Sequence, residues 1–342
     1  MKKTLYTVFA VIALVSCTGG RSEEGYEVSD EALRILEDPF CTEIGLLRTC
    51  DRTVGENPIY VCGDALRARS LCMYLAEFDG RDNVDGSVLS DGLPDFSGEM
   101  IYGILDERVR PSALSSLAAS LDTVFCVSRY DAQGGGSRAG AKILVFTSPL
   151  EVAQRRDVDT VVNFTGCAIK TLFPLEKALD AAVADGAENI CVISPLEDTV
   201  SQPYYRLIAD APETCRIVAV SCDSRNAHPL FPALDGWIAS GAGGRVDAFV
   251  LDGYMTDEDS FGQDVSVVRS ALGEKSLKYA GLISERLKVY DTRRIAAGEL
   301  FGTLRDDNSF AHRIAYPQVR YFAVVDTLPG GGAGPLRTVR FN

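Results

Sequence analysis

The sequence predicts an α/β protein of two doubly wound lobes, each built on a largely parallel sheet. Three observations predict it. Short runs rich in Val, Ile and Phe recur from Pro58 onward. Those runs are continuous rather than alternating, as expected of strands covered on both faces. Helical patterns separate many of them, and a strand–helix–strand succession is the grammar of a parallel sheet.

Taken in chain order, the predicted strands are 59–62, 87–89, 123–128, 143–146, 160–164, 190–194, 217–221, 248–251, 279–283 and 320–325. The predicted helices are 65–78, 97–108, 172–184, 201–209 and 257–272. Ser97 reads as the N-cap of the second, and Asp185-Gly186 closes the third. The stretch 172–252 is the clearest, with units near the length of a βαβ repeat. This organisation predicts a first lobe over 57–185, a second over 186–320, and a C-terminal strand and tail over 321–342. Gly134–Gly136 and Gly330–Gly332 read as loops. Neither is followed by Gly-Lys-Ser/Thr, so neither is a phosphate loop, and no cofactor motif is present.

The chain begins with Met1-Lys2-Lys3, an apolar run from Leu5 to Val15, and Ser16-Cys17. A basic end, a short apolar run and a small residue before the cut describe an export signal over residues 1–16. Leu14-Val15-Ser16-Cys17 resembles the lipobox of bacterial lipoproteins. That resemblance implies a lipid on Cys17, which would be the first residue of the mature chain and its link to a membrane. Residues 17–56 then form the lipidated tether and an irregular N-terminal segment. A lipid-anchored place in the bacterial cell envelope, facing periplasm or surface, is the expected location.

The whole chain has 34 Lys and Arg against 48 Asp and Glu, a net charge of −14. Loss of Lys2 and Lys3 with the signal would leave 32 against 48, or −16. Such a surface repels nucleic acid, and no basic stripe interrupts it. Hydrophobic residues make up 46% of the chain, enough for a packed core.

Ten cysteines are present without a C-x-x-C pair, and there are only two histidines, His228 and His312. A histidine-rich metal centre is therefore excluded, and no metal site is predicted. Most cysteines sit in apolar runs and read as core residues. Cys41 and Cys50 lie in a polar stretch and are the candidate disulfide, given an exported chain. Trp237 reads as core or interface.

In open α/β sheets, ligands bind beyond the carboxyl ends of the strands. That rule selects Gly63 and Asp64, the loop Ser90–Ser97, Thr147 and Ser148, the turn after Ser194, and Asp252 to Tyr254. The candidate ligand-binding set is Asp91, Asp95, Thr147, Ser148, Ser194, Asp252 and Tyr254. Asp91 and Asp95 could pair for acid–base work. The same residues also read as caps and turns: Asp and Ser before a helix satisfy its amides, and Thr147-Ser148-Pro149 suits an N-cap followed by Pro at the first helical position.

Two families share this arrangement. Ala178–Gly186 leading into Asn189–Ile193, then Asp198–Tyr205, Arg216–Val220 and Asp247–Asp252, resemble the second lobe of type I periplasmic binding proteins. That resemblance implies a non-catalytic lipoprotein holding a small polar molecule between its lobes. The same residues are similar to the aspartate/glutamate racemase group. Ile143–Ser148 and Phe249–Tyr254 fall where that family carries its two catalytic cysteines, which here are Thr147 and Gly253. The racemase resemblance implies an isomerase or lyase that works with carboxylates, such as Asp91 and Asp252, because glycine supplies no base. A protein-binding scaffold of the envelope is the third expectation.

Overall fold

The computed structural model describes residues 28–342, except 39, 51–54, 107–111, 123, 129, 130, 153, 168, 196–214, 224, 225, 227, 254–257, 271–277, 314, 326–336 and 342. The expected helix 201–209, Tyr254, the second glycine triplet and Cys17 lie outside the described residues. The chain divides into two compact units. One is Leu175–Thr292, and the other combines Ser22–Pro174 with Arg293–Asn342. The division thus falls at Pro174 and again at Thr292, not at 185/186, and residues 293–320 belong with the earlier part of the chain.

The discontinuous unit opens with two short helices, α1 (Asp30–Glu37) and α2 (Thr42–Thr49). Its sheet is built from β1 (Ile59–Gly63), β2 (Met100–Leu105), β3 (Val124–Ser128), β4 (Asp131–Ser137), β5 (Ile143–Phe146) and β6 (Lys170–Leu172). Two late strands, β11 (Gln318–Val325) and β12 (Arg337–Phe341), complete it. The order is β4-β3-β12-β11-β2-β1-β5-β6. Pairing is parallel except for β3 with β4 and β11 with β12. Helices α3 (Ala65–Glu77), α4 (Ala113–Leu121), α5 (Pro149–Val152), α6 (Arg155–Thr165) and α10 (Thr292–Asp306) accompany it. The core gathers Ile59, Val61, Leu71, Leu75, Phe96, Ile101, Ile143, Val145, Leu300 and Leu304, all essentially inaccessible.

The continuous unit holds α7 (Pro174–Ala184), β7 (Asn189–Ser194), β8 (Arg216–Ser221), α8 (Leu230–Ala239), β9 (Val246–Leu251), α9 (Glu258–Arg269) and β10 (Ile283–Asp291). Its four strands run parallel in the order β10-β9-β7-β8. Trp237 is buried in its core with Phe249, Phe261, Leu234 and Val218. The α/β class and the largely parallel sheets agree with the sequence reading.

Several local expectations are corrected. Residues 87–89 form no strand: Val88 and Leu89 are exposed, and the segment is a turn. Residues 100–105 are the buried strand β2, not a helix, because they pair in parallel with β1 on one side and β11 on the other; the absence of a side chain at Gly103 leaves room for the ring of Tyr321. Residues 160–164 lie in α6, whose buried Asp157, Val158, Val161 and Val162 follow helical spacing. That spacing outweighs the strand preference of Val and Thr. Gly166 closes α6 with φ 68°. The strand expected at 279–283 begins at Ile283, after a short 3₁₀ turn. Gly134–Gly136 is part of β4 rather than a loop, packed against Phe125 of β3.

Cys41 and Cys50 form no disulfide with one another. They flank the two ends of α2, so nine helical steps of about 1.5 Å hold them roughly 13 Å apart. A disulfide needs Cα atoms about 4–7 Å apart. Cys41 is buried, with its Sγ directed at the carbonyl of Ile35. No helix among the described residues is long and apolar enough to cross a membrane.

Candidate functional site

In the discontinuous unit, three neighbouring parallel strands end on carboxyl-bearing segments. The first is β1. Gly63, at φ 149°, closes the strand, and Asp64 follows it as the N-cap of α3. The Asp64 Oδ1 receives the amides of Leu66 and Arg67 at 3.1 and 3.0 Å. Its Oδ2 pairs with the Arg67 guanidinium at 2.9 Å; the Asp64 side chain keeps 19% of its surface exposed, whereas that of Arg67 keeps none. The second strand is β2. Asp106 follows it, buried, and its amide donates to the carbonyl of Gly63 at 2.8 Å.

The third strand is β5, followed by Thr147, Ser148 and α5. The amide and the hydroxyl of Thr147 both donate to the carbonyl of Cys62, at 2.8 and 2.9 Å. Ser148, Pro149 and Glu151 have capping-box spacing, with Glu151 reaching back to the amide of Ser148 at 3.4 Å. Glu151 has no accessible surface, and its Oε1 receives the Ser116 hydroxyl at 2.5 Å. Burial pushes the Glu151 carboxyl up to about 8; the charges of Asp106 and Asp64 add to the rise, and the bonds from Ser116 and Ser148 oppose it. Near pH 7 the Glu151 side chain is therefore held mainly in its neutral form.

Cys62 lies beside this group with its Sγ 3.1 Å from the hydroxyl of Ser120. Burial, with the negative charge of Glu151, pushes its thiol well above the ordinary range. It is a packed thiol and not a nucleophile. No group of three metal-ligating side chains is assembled among the described residues.

The sequence-selected residues fall in different places. Thr147 and Ser148 stand at the end of β5, as described. Asp91 is exposed, and its carboxylate serves its own loop: Oδ2 receives the amide of Asn83 at 2.9 Å and Oδ1 that of Leu93 at 2.9 Å. Asp95 is buried and receives the amides of Gly80 and Arg81, both at 3.2 Å. Burial raises its carboxyl. No hydrogen bond joins Asp91 to Asp95, and the strand that would have placed them at a sheet end is absent. Asp91 and Asp252 belong to different units.

Ser194 and Asp252 belong to the continuous unit, and both are buried at strand ends. The amide of Cys222 donates to the carbonyl of Ser194, and the amide of Asp252 to that of Ile193. The amide of Gly253 donates to the Thr292 hydroxyl at 3.0 Å, which donates to Leu251 at 3.0 Å. His228 follows β8, with Nδ1 3.0 Å from a carboxylate oxygen of Asp264. Sequence reasoning missed Glu151 and Asp106. The capping-box spacing from Ser148 is a signal that could have pointed to Glu151 as a helix-start residue, but nothing local announces its burial.

No protein-family model matches the sequence, and no curated protein sequence matches it. Solved structures do. A glutamate racemase isoform of Bacillus anthracis aligns over 80% of this chain and 90% of its own, at 12% identity and a TM-score of 0.48. The glutamate racemase of Francisella tularensis, solved with D-glutamate, gives the same coverage at 13% identity and 0.47. The maleate isomerase of Pseudomonas putida covers 73% of this chain and 93% of its own, at 12% and 0.38. These likenesses concern fold alone. They fall on the racemase side of the two resemblances, so the expectation of a non-catalytic binding protein of the periplasmic-binding type is corrected.

Proposed function

We propose that this chain is an isomerase or lyase that moves a proton on a small polar substrate, at an acidic C–H next to a carboxylate, using its own carboxyl groups. The observation that carries the reading is the convergence of Asp64, Asp106 and Glu151 at the carboxyl ends of β1, β2 and β5. General acid–base work needs paired groups of opposite protonation state in one place. Asp64, partly exposed, is the residue that would meet substrate. Glu151 and Asp106 lie behind it and act as positioning residues through the field they set. Thiol chemistry does not enter: Thr147 and Gly253 stand in the family's two cysteine positions, and Cys62 is held as a thiol.

The test is proton–deuterium exchange. Amino acids, 2-hydroxy acids and unsaturated dicarboxylates are incubated with the protein in deuterated buffer and followed by proton NMR. Loss of the signal next to the carboxylate, or interconversion of isomers, is expected for one class. Asp64→Asn should slow it at least 100-fold, and Glu151→Gln should displace its pH profile. Absence of exchange across the panel, or full activity in Asp64→Asn, overturns the reading.

We also propose that residues 1–16 direct export and that Cys17 carries lipid. The lipobox resemblance and the short apolar run support this. Wild-type protein purified from a bacterial host should carry acyl mass on Cys17 and sediment with membranes. Cys17→Ser should do neither; wild-type protein without lipid refutes the proposal.

A further inference from the structure

Strand β10 departs from its ladder part-way along. It takes five steps, Ile283 to Lys288, where its neighbour β9 takes two, Val246 to Ala248. The surplus residues of such a bulge go unpaired and their side chains are re-aimed. Here the surplus chain is held in place: the Arg269 guanidinium donates to the carbonyls of Ser284 and Glu285 at 2.9 and 3.3 Å. Beside the bulge, at the amino ends of β7, β9 and β10, lies a cavity of about 500 Å³. That volume is in the range of small-molecule sites.

One part of its lining is satisfied from within. The Asp185 carboxylate receives Lys288 Nζ at 2.8 Å and the Tyr290 hydroxyl at 2.6 Å. The other charges are not. Arg245 and Arg286 bring guanidiniums to the cavity, and Glu188 and Glu285 bring carboxylates. No hydrogen bond or ion pair holds any of these four side chains among the described residues. Opposite charges thus share one hollow without pairing. A ligand of one sign would meet two groups of its own sign there. A ligand of both signs finds partners for each, since guanidiniums fork onto a carboxylate and carboxylates accept from an ammonium.

We infer that this cavity binds a small zwitterion, a free amino acid or a short peptide with open termini, its carboxylate on Arg245 and Arg286 and its ammonium on Glu188 and Glu285. The site goes beyond the proton-transfer reading and does not rest on it. It belongs to the continuous unit, whereas Asp64, Asp106 and Glu151 belong to the discontinuous one. It also lies at the sheet end opposite to the one where the carboxyl-end rule looks for ligands.

Trialanine is the probe, titrated into the full chain by calorimetry, with free alanine beside it to separate a peptide site from an amino-acid site. N-acetyl-trialanine lacks the ammonium and trialanine amide lacks the carboxylate; each should bind at least tenfold more weakly than trialanine. Arg245→Gln with Arg286→Gln should weaken trialanine at least tenfold and leave the amide unchanged. Glu188→Gln with Glu285→Gln should weaken trialanine as much and spare the acetylated peptide. All four residues are exposed, so thermal melts should match wild type. Absence of binding by both trialanine and alanine, equal affinity for the blocked peptides, or undiminished binding in the double variants overturns the inference. Asp64→Asn should bind the probe as wild type does; loss there would assign the binding to the proton-transfer site and overturn the inference while leaving the isomerase reading standing. Charge-dependent binding in a protein that exchanges no substrate proton would do the reverse.

Discussion

Replacing Glu151 with glutamine tests the electrostatics at the end of β5. The carboxyl rises from an ordinary 4.5 to about 8 in the fold. Because the folded state binds this proton more tightly than the unfolded chain, the favourable contribution is complete below pH 4.5 and is lost as pH climbs toward 8. At about 1.4 kcal/mol for each pH step across that window, the loss reaches ~5 kcal/mol. Glutamine cannot ionise, so the variant should lack this slope. It also loses one acceptor, because its amide group cannot receive both Ser116 and the Ser148 amide, at a pH-independent cost of about 1 kcal/mol. Wild type should therefore about match the variant near pH 5 and be clearly the less stable protein at pH 8. The assay is urea unfolding at both pH values, read by amide exchange at β1 and β5. The single tryptophan, Trp237, lies in the core of the other unit, so its fluorescence does not report directly on β1 and β5. Parallel stability profiles for wild type and Glu151→Gln between pH 5 and 8 would refute the argument.

Lys142 and Glu99 form a buried pair at 2.7 Å, and the Lys142 Nζ also donates to the carbonyls of Gly55 and Ser309. Lys142→Met should cost about 3–5 kcal/mol by stranding the Glu99 charge, and adding Glu99→Gln should recover part of it in thermal melts. A Cβ on Gly63 would lie 2.1 Å from the hydroxyl of Thr147, at φ 149°. Gly63→Ala should therefore destabilise by about 1–3 kcal/mol, and Thr147→Ala should relieve some of that in a double-mutant cycle. Cys50 is half-buried while Cys41 is buried, with its thiol raised by burial. Alkylation of the native protein should label Cys50 first, and a non-reducing peptide map should show no peptide bridging the two.

The parts of the fold legible in the sequence are those where burial is complete and local. Strands β1, β5, β7, β8 and β9 announced themselves because Ile, Val and Phe crowd positions covered on both faces. Strand β2 was misread because Met100–Leu105 satisfies a helical window as well as an extended one, and only its neighbours β1 and β11 decide the matter. That misreading hid Asp106, which becomes a strand-end residue only once β2 is a strand. The opposite error at 87–89 promoted Asp91, whose partners are turn amides. Thr147 and Ser148 were found because the strand before them was right. Glu151 was missed: its spacing from Ser148 suits a cap, but its burial depends on α4, brought in from elsewhere in the chain.

The sequence of one unit interrupts that of the other, and this orders the events of synthesis. Leu175–Thr292 is a continuous stretch and can complete its four strands as soon as it leaves the ribosome. The flanking unit cannot. Its β2 and β3 are joined into one sheet only through β11 and β12, which are the last strands to emerge. Until then the nascent chain presents the open edges of β2 and β3, both prone to adhere to other chains. A chain ended after Thr292 would therefore hold the strands of one complete body and of one half-built sheet, so the closing strands set when the protein becomes safe from aggregation.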